Sequence, residues 1–223
     1  MGWIRWVACT RLGFHALLRP GEFLSARRAD LILPEDLCRD ARQDPRLYVH
    51  IGSPKTKATG AKQQHGRSTD PDTCRLWCFL AAGADRQSPL WQGSPAQYRA
   101  KWNRICKKLN VPFTEITGVT PASLRGGGAT ALFEETEDTE TVRYRGRWQS
   151  MRMCETYVQE VGGHRFLASL DAEDRNLLHA LAEMQGEAIE LAITLLTCGI
   201  PPSDFATHYQ PLVRRTHRKI GLD

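Results

Sequence analysis

Apolar positions along this chain fall mostly at helical spacing. Ile4, Val7, Leu12, Leu17 and Leu18 mark one face of a helix predicted over 3–19, which ends where Pro20-Gly21 forces a turn. A short helix is predicted from Glu22 to Arg28. Leu31-Ile32-Leu33 and the alternating run Leu47-Tyr48-Val49-His50-Ile51 are bounded by Pro34 and Gly52 and read as strands. The polar, basic stretch 53–68 reads as a hairpin arm, with its return strand at about 61–67.

Helical spacing resumes from Asp72 to Ala82 through Leu76, Trp77, Phe79 and Leu80. Pro95 to Leu109 follows Ser94 as cap and carries Tyr98, Trp102, Ile105 and Leu109. Thr120-Pro121 repeats that start signal for a helix bearing Arg125. An acidic link (Glu134, Glu135, Glu137, Asp138, Glu140) then leads to helices predicted at Thr141–Arg147 and Ser150–Val161, and Gly162-Gly163 marks a boundary. From Asp171, a candidate cap, one long helix is predicted to Cys198, stopped by Gly199 and Pro201-Pro202. Leu177, Leu181, Met184, Ile189, Ile193 and Leu196 give it an apolar stripe. Gly186 weakens its middle by about 1 kcal/mol relative to Ala. The pattern is mainly α with a small antiparallel β-sheet, divided into a unit at 1–162 and a C-terminal helical tail at 163–223.

Composition narrows the classes. At 223 residues, 41% hydrophobic and 25% charged, the chain has the make-up of an ordinary soluble protein long enough for a sizeable core. The net charge of +5 is mild, but Lys55 to Lys108 holds eleven Lys or Arg against three Asp. Such a block suits a polyanion partner, or else is a solvated basic face. Arg5 and Arg11 interrupt the apolar N-terminus, so no signal peptide is expected. The most apolar run, Ala188 to Ile200, contains Glu190 and is too short to span a bilayer, so no membrane partner is expected. The seven cysteines are scattered, with Cys74 and Cys78 the closest pair and no zinc-finger spacing. They read as reduced thiols of an intracellular protein, and no metal or cofactor is expected. Gly126-Gly127-Gly128 lacks the Gly-Lys-Ser/Thr of a P-loop and reads as a site of close helix packing or backbone approach to DNA.

The candidate chemistry lies from Gly118 to Tyr157. Arg125 precedes Trp148 by 23 residues, and Trp148 precedes Tyr157 by 9. This order and spacing resembles the C-terminal half of the active site of the tyrosine recombinase (phage integrase) family. Leu18-Arg19-Pro20-Gly21-Glu22 is similar to that family's Leu-Arg-x-Gly-Glu block. Leu47 to Ile51 followed by Lys55-Thr56 is similar to its strand and Lys-Thr element. The four matches occur in the family's order and cover roughly two thirds of the chain.

The resemblance implies a DNA breaking-rejoining catalytic domain that acts on double-stranded DNA as a homo-oligomer, in the nucleus if the host is eukaryotic. It assigns Tyr157 as nucleophile, forming a 3′-phosphotyrosyl intermediate. Arg19 and Arg125 become the guanidinium pair on the scissile phosphate, Trp148 an indole N–H donor to it, and Glu22 the residue that orients Arg19. Lys55 becomes the general acid for the leaving 5′-oxygen, with Lys57 as its rival. Each residue also has an ordinary reading: a packed Tyr157, a core Trp148, a surface acid at Glu22. The chain departs from the family at Ala122, where His-x-x-Arg would place a histidine, and its N-terminal DNA-clamping domain is expected to be absent. Three functions therefore stand open: a recombinase, a DNA-binding relic of the same fold, and a helical interaction protein. The tail is expected either to pack on its own domain or to reach a neighbouring protomer.

Overall fold

The computed structural model describes residues 2–52, 64–113 and 118–220. Lys55 and Lys57 lie outside the described residues. The chain is mainly helical, with one small three-stranded antiparallel sheet. Helix α1 (Gly2–His15) is central, and its core face carries Trp6, Ala8, Cys9 and Leu12. It packs against α3 (Pro71–Ala81) and α4 (Pro95–Lys108), where Trp77 Nε1 donates to Ala8 O at 3.2 Å and Trp6 Nε1 to Tyr98 O at 3.2 Å. These bonds satisfy the indole N–H groups that burial would otherwise strand.

The sheet has the order β1 (Leu31–Ile32), β2 (Leu47–Ile51), β3 (Gln64–Ser68), with Leu31 opposite Val49 and Val49 opposite Gly66. Leu47, Val49 and Ile51 point inward and Tyr48 and His50 outward, as the alternation predicts. The return strand begins later than expected, at Gln64. Gly66 fits because a Cβ there would come within 2.6 Å of Leu18.

Side-chain caps set several helix starts. Ser94 and Gln97 form a reciprocal capping box on α4. Asp70, two residues before the expected Asp72 start, accepts from Thr73 N at 2.7 Å and begins α3 with Pro71 in the first turn. The helix expected over Glu22–Arg28 is instead α2 (Pro20–Ser25), followed by a 3-10 turn at Arg28–Asp30.

A second, smaller core lies beyond the end of α1. It joins α5 (Ser123–Thr136), α6 (Thr139–Gly146) and α7 (Met151–Glu155) through Leu17, Ala129, Val142, Trp148 and Cys154. The glycine run of α5 makes this junction possible, since a Cβ on Gly128 would sit 2.1 Å from Phe14 O.

Two expectations for the C-terminal region are corrected. Gly162 and Gly163, expected to mark a break, lie inside α8 (Glu160–Ser169). The long tail helix is interrupted at Met184, giving α9 (Ala172–Glu183) and α10 (Gln185–Thr197), followed by α11 (Phe205–Ile220). Both halves lie against α11, but α10 also returns to α3 and adds Ile189 to the main core. Gly186 allows that return, because a Cβ there would already stand 3.2 Å from Asp72 Oδ2. Asp171 caps α9 as expected, accepting from Asp174 N at 2.8 Å. The tail thus packs in cis, tied down by Arg75 to Glu190 and Arg11 to Gln185, each at 2.6 Å. Among the described residues, no helix is long and apolar enough to cross a membrane.

Candidate active site

Two helix ends build this site. Helix α1 closes with Leu17 in the left-handed region (φ 51°), Leu18 N bonding to Gly13 O at 2.9 Å and Leu17 N to Phe14 O at 3.3 Å. Helix α6 closes in the same way, with Arg147 left-handed (φ 59°), Trp148 N bonding to Arg143 O at 3.0 Å and Arg147 N to Tyr144 O at 3.1 Å. Both are Schellman endings, yet neither uses the glycine that such a position favours. The glycine stands one residue earlier, at Gly146. There a Cβ would come within 1.8 Å of the Trp148 ring, so the indole can fold back over the helix end.

Arg125 on α5 reaches between these two ends. Its Nη1 donates to Leu17 O at 2.5 Å and its Nη2 to Gly146 O. A cation between the negative ends of two helix dipoles is well placed, and it binds the last carbonyl of α6 and the carbonyl of the residue that closes α1. Arg125 is only 2% exposed. Burial, with Arg147 and Arg19 nearby, pushes its pKa down to about 10, against an opposing pull from Glu22.

The remaining expected residues gather round it. Trp148 and Tyr157 lie with ring centroids 4.8 Å apart, and the Arg125 guanidinium is 4.8 Å from the first ring and 5.6 Å from the second. Arg19 holds Glu22 at 3.0 Å through Nη1, and its backbone N–H donates to Glu22 Oε2 at 2.8 Å. Glu22 Oε2 is 3.8 Å from Arg125 Nη1. Arg19, Glu22, Arg125, Trp148 and Tyr157 therefore share one cluster, although they are spread over more than half of the chain. Glu22 is not a surface acid, and Trp148 is a core residue that also lies in this cluster.

Tyr157 is not inside a helix as expected. It occupies the turn between α7 and α8, because local side chains take the helix-ending groups. Thr156 Oγ1 donates to Arg152 O at 3.1 Å and Gln159 Nε2 to Thr156 O at 3.0 Å. Thr130 of α5 accepts from Gln159 N at 3.0 Å and donates to Tyr157 O at 3.4 Å, so the turn rides on α5. Tyr157 borders a cavity of about 720 Å³ that Ala122, Gly126 and Gly127 also line. Ala122 thus faces the same space as Tyr157, where it offers only a methyl group.

One residue escaped the sequence reading. Arg147 donates through Nη2 to Glu22 Oε2 at 2.8 Å and to Leu17 O at 3.3 Å, and its side chain is 9% exposed. Its only sequence signal is an arginine after Gly146 where a helix-ending glycine is the default. Three guanidinium groups now face one carboxylate. Four buried nitrogens here have no hydrogen-bond partner among the described residues: Arg125 Nε, Arg147 Nε and Nη1, and Trp148 Nε1. An excess of positive charge with unfilled donors suits an oxyanion ligand.

No protein-family model matches this chain, and no curated protein matches it significantly.

Proposed function

We propose that this chain is the catalytic domain of a tyrosine-type DNA recombinase or integrase, acting on double-stranded DNA as a homo-oligomer. The observation that carries the reading is the placement of Tyr157 against Arg125, with Arg19 joined to the same cluster through Glu22. In the reaction, the Tyr157 phenol oxygen attacks the scissile phosphorus and gives up its proton as the P–O bond forms. The bond from phosphorus to the 5′-oxygen breaks, and that oxygen takes a proton. Lys55 is the proton donor by resemblance. The 3′-phosphotyrosyl link keeps the bond energy, so a 5′-hydroxyl can reverse the step and reseal a strand. Arg19 and Arg125 neutralise the non-bridging oxygens, and donors fixed in this way are worth roughly 3–4 kcal/mol each in the transition state.

A second reading rests on Ala122. A residue that handles protons or binds the phosphate contributes about 10²–10⁴-fold, and alanine contributes nothing. The domain could then bind DNA by the same cluster without cutting it. Nicked duplexes that trap the covalent intermediate separate the two readings. Protein–DNA adducts stable to denaturant support the enzyme, whereas salt-sensitive binding without adducts supports the relic.

A further inference from the structure

The two oxygens of Glu22 are used differently. Oε1 meets the Arg19 guanidinium at 3.0 Å, while Oε2 accepts from the Arg19 backbone N–H and from Arg147, each at 2.8 Å, and stands 3.8 Å from Arg125. Arg125 is left with two neutral carbonyls as its hydrogen-bond acceptors. Among the described residues, its charge is the one in the cluster that no carboxylate holds at hydrogen-bond distance.

We propose that Arg147 is a positioning residue for the oxyanion site: by occupying Oε2 of Glu22, it keeps that carboxylate off Arg125, so that Arg125 meets a phosphate with its charge unpaired. The inference rests on the phosphate-binding half of the function proposed above and not on strand cleavage.

Three observations point the same way. The backbone at Arg147 is left-handed, a conformation that L side chains rarely adopt and glycine adopts freely. An arginine there means that the turn carries a side chain it does not need for its own geometry. That side chain is drawn inward to Leu17 O, which Arg125 also binds, and to Glu22 Oε2, 3.8 Å from Arg125, rather than out to solvent. Finally, three guanidinium groups against Glu22 leave a charge of +2. A phosphodiester carries one negative charge and its pentacoordinate transition state two, so the surplus matches the charge that builds up during transfer. Without Arg147, Oε2 would keep only the Arg19 backbone N–H at 2.8 Å, its vacated lone pair would turn to Arg125, and a carboxylate–guanidinium pair would compete with the phosphate.

The mechanism predicts coupling between Arg147 and Glu22 that a merely structural role would not show. The full chain is titrated with inorganic phosphate by calorimetry in wild type, Arg147→Ala, Glu22→Gln and the double variant. In wild type, Arg147→Ala should weaken binding by about tenfold or more; in the Glu22→Gln background the same change should weaken it by less than about threefold. Arg147→Lys, which keeps a cation for Oε2, should stay within about threefold of wild type. If Arg147→Ala does not fold, Arg147→Gln carries the same cycle. Equal losses in both backgrounds overturn the proposal, as does a wild-type chain that takes up no phosphate. If the coupling is found but no covalent DNA adduct forms, the positioning role stands and the cleavage reading fails.

Discussion

The Trp148 indole and the Tyr157 ring lie 4.8 Å apart, centroid to centroid, and tilt by 31°, with the Arg125 guanidinium close to both. This contact joins the proposed nucleophile to the proposed phosphate grip. It is possible because Gly146 lets the indole fold over the end of α6 and because Thr130 holds the Tyr157 turn against α5. Tyr157→Phe keeps the ring and removes only the attacking oxygen. Strand cleavage should be abolished while DNA affinity stays within a few-fold, measured by gel shift beside a cleavage assay. Cleavage by the Phe variant would refute the assignment of the nucleophile.

Arg125 also holds the fold together. Lysine cannot reach Leu17 O and Gly146 O together with one planar fork, so Arg125→Lys should destabilise the chain. Hydrogen bonds to charged groups are worth about 1.5–3 kcal/mol, and losing one of the two should lower the unfolding free energy by about that much. Denaturant melts check this. An unchanged midpoint would mean that the clamp between α1 and α6 contributes nothing.

The depressed pKa of Arg125 predicts a pH limit. Burial and the neighbouring arginines bring it from an ordinary 12.5 to about 10 in the native chain. Between those values the unfolded chain holds a proton that the native chain releases. The penalty for burying a charged Arg125 is therefore full below about pH 10 and is relieved as pH rises. Anion binding has the opposite sense, because it needs the charged form. Sulfate affinity of the Tyr157→Phe chain should lose about tenfold per pH unit above about pH 10, for a single proton. Affinity independent of pH across that range would show that Arg125 keeps its proton there, against the depressed pKa.

Gly146→Ala tests the indole's approach. Its Cβ would stand 1.8 Å from the ring of Trp148, so either the indole or the helix end must move. Overpacking of this kind costs about 1–3 kcal/mol, and the displaced indole should also be more accessible to a fluorescence quencher. Wild-type stability and quenching together would contradict the packing described.

The tail offers a separate test. Helix α10 puts Ile189 into the main core and Ile193 against it, on a chain that folds its tail back on itself. Removal of residues 185–220 would expose Ile4, Val7, Leu76 and Ile105, which line the roughly 540 Å³ groove shared with α10. The truncated chain should melt at lower temperature and aggregate more readily. A truncated chain as stable as the full one would return the tail to the role of an arm for a neighbouring protomer.

Much of this was legible in the sequence, for physical reasons that differ by element. The mainly helical class and small sheet followed from apolar spacing and from caps such as Ser94 and Asp171, whose signals are local. Arg19, Glu22, Arg125, Trp148 and Tyr157 could be picked out by order and spacing, and the structure brings them into one cluster. What stayed hidden depends on contacts distant in sequence. The turn at Tyr157 is held on α5 by Thr130, 27 residues away in sequence. The interruption at Met184 lets α10 turn back onto α3 while both halves keep α11, and Gly162-Gly163 stays helical although glycine disfavours it. Arg147 was invisible because its meaning lies in Glu22, 125 residues earlier.

The most direct measurement of the central claim is covalent capture. The wild-type chain is incubated with a pool of nicked duplexes of randomised sequence, and denaturant-stable adducts are digested and mapped by mass spectrometry. The account predicts a nucleotide joined through its 3′-phosphate to the peptide containing Tyr157, and no adduct from Tyr157→Phe. An adduct on another residue, or none from a chain that binds the same duplexes, would contradict it.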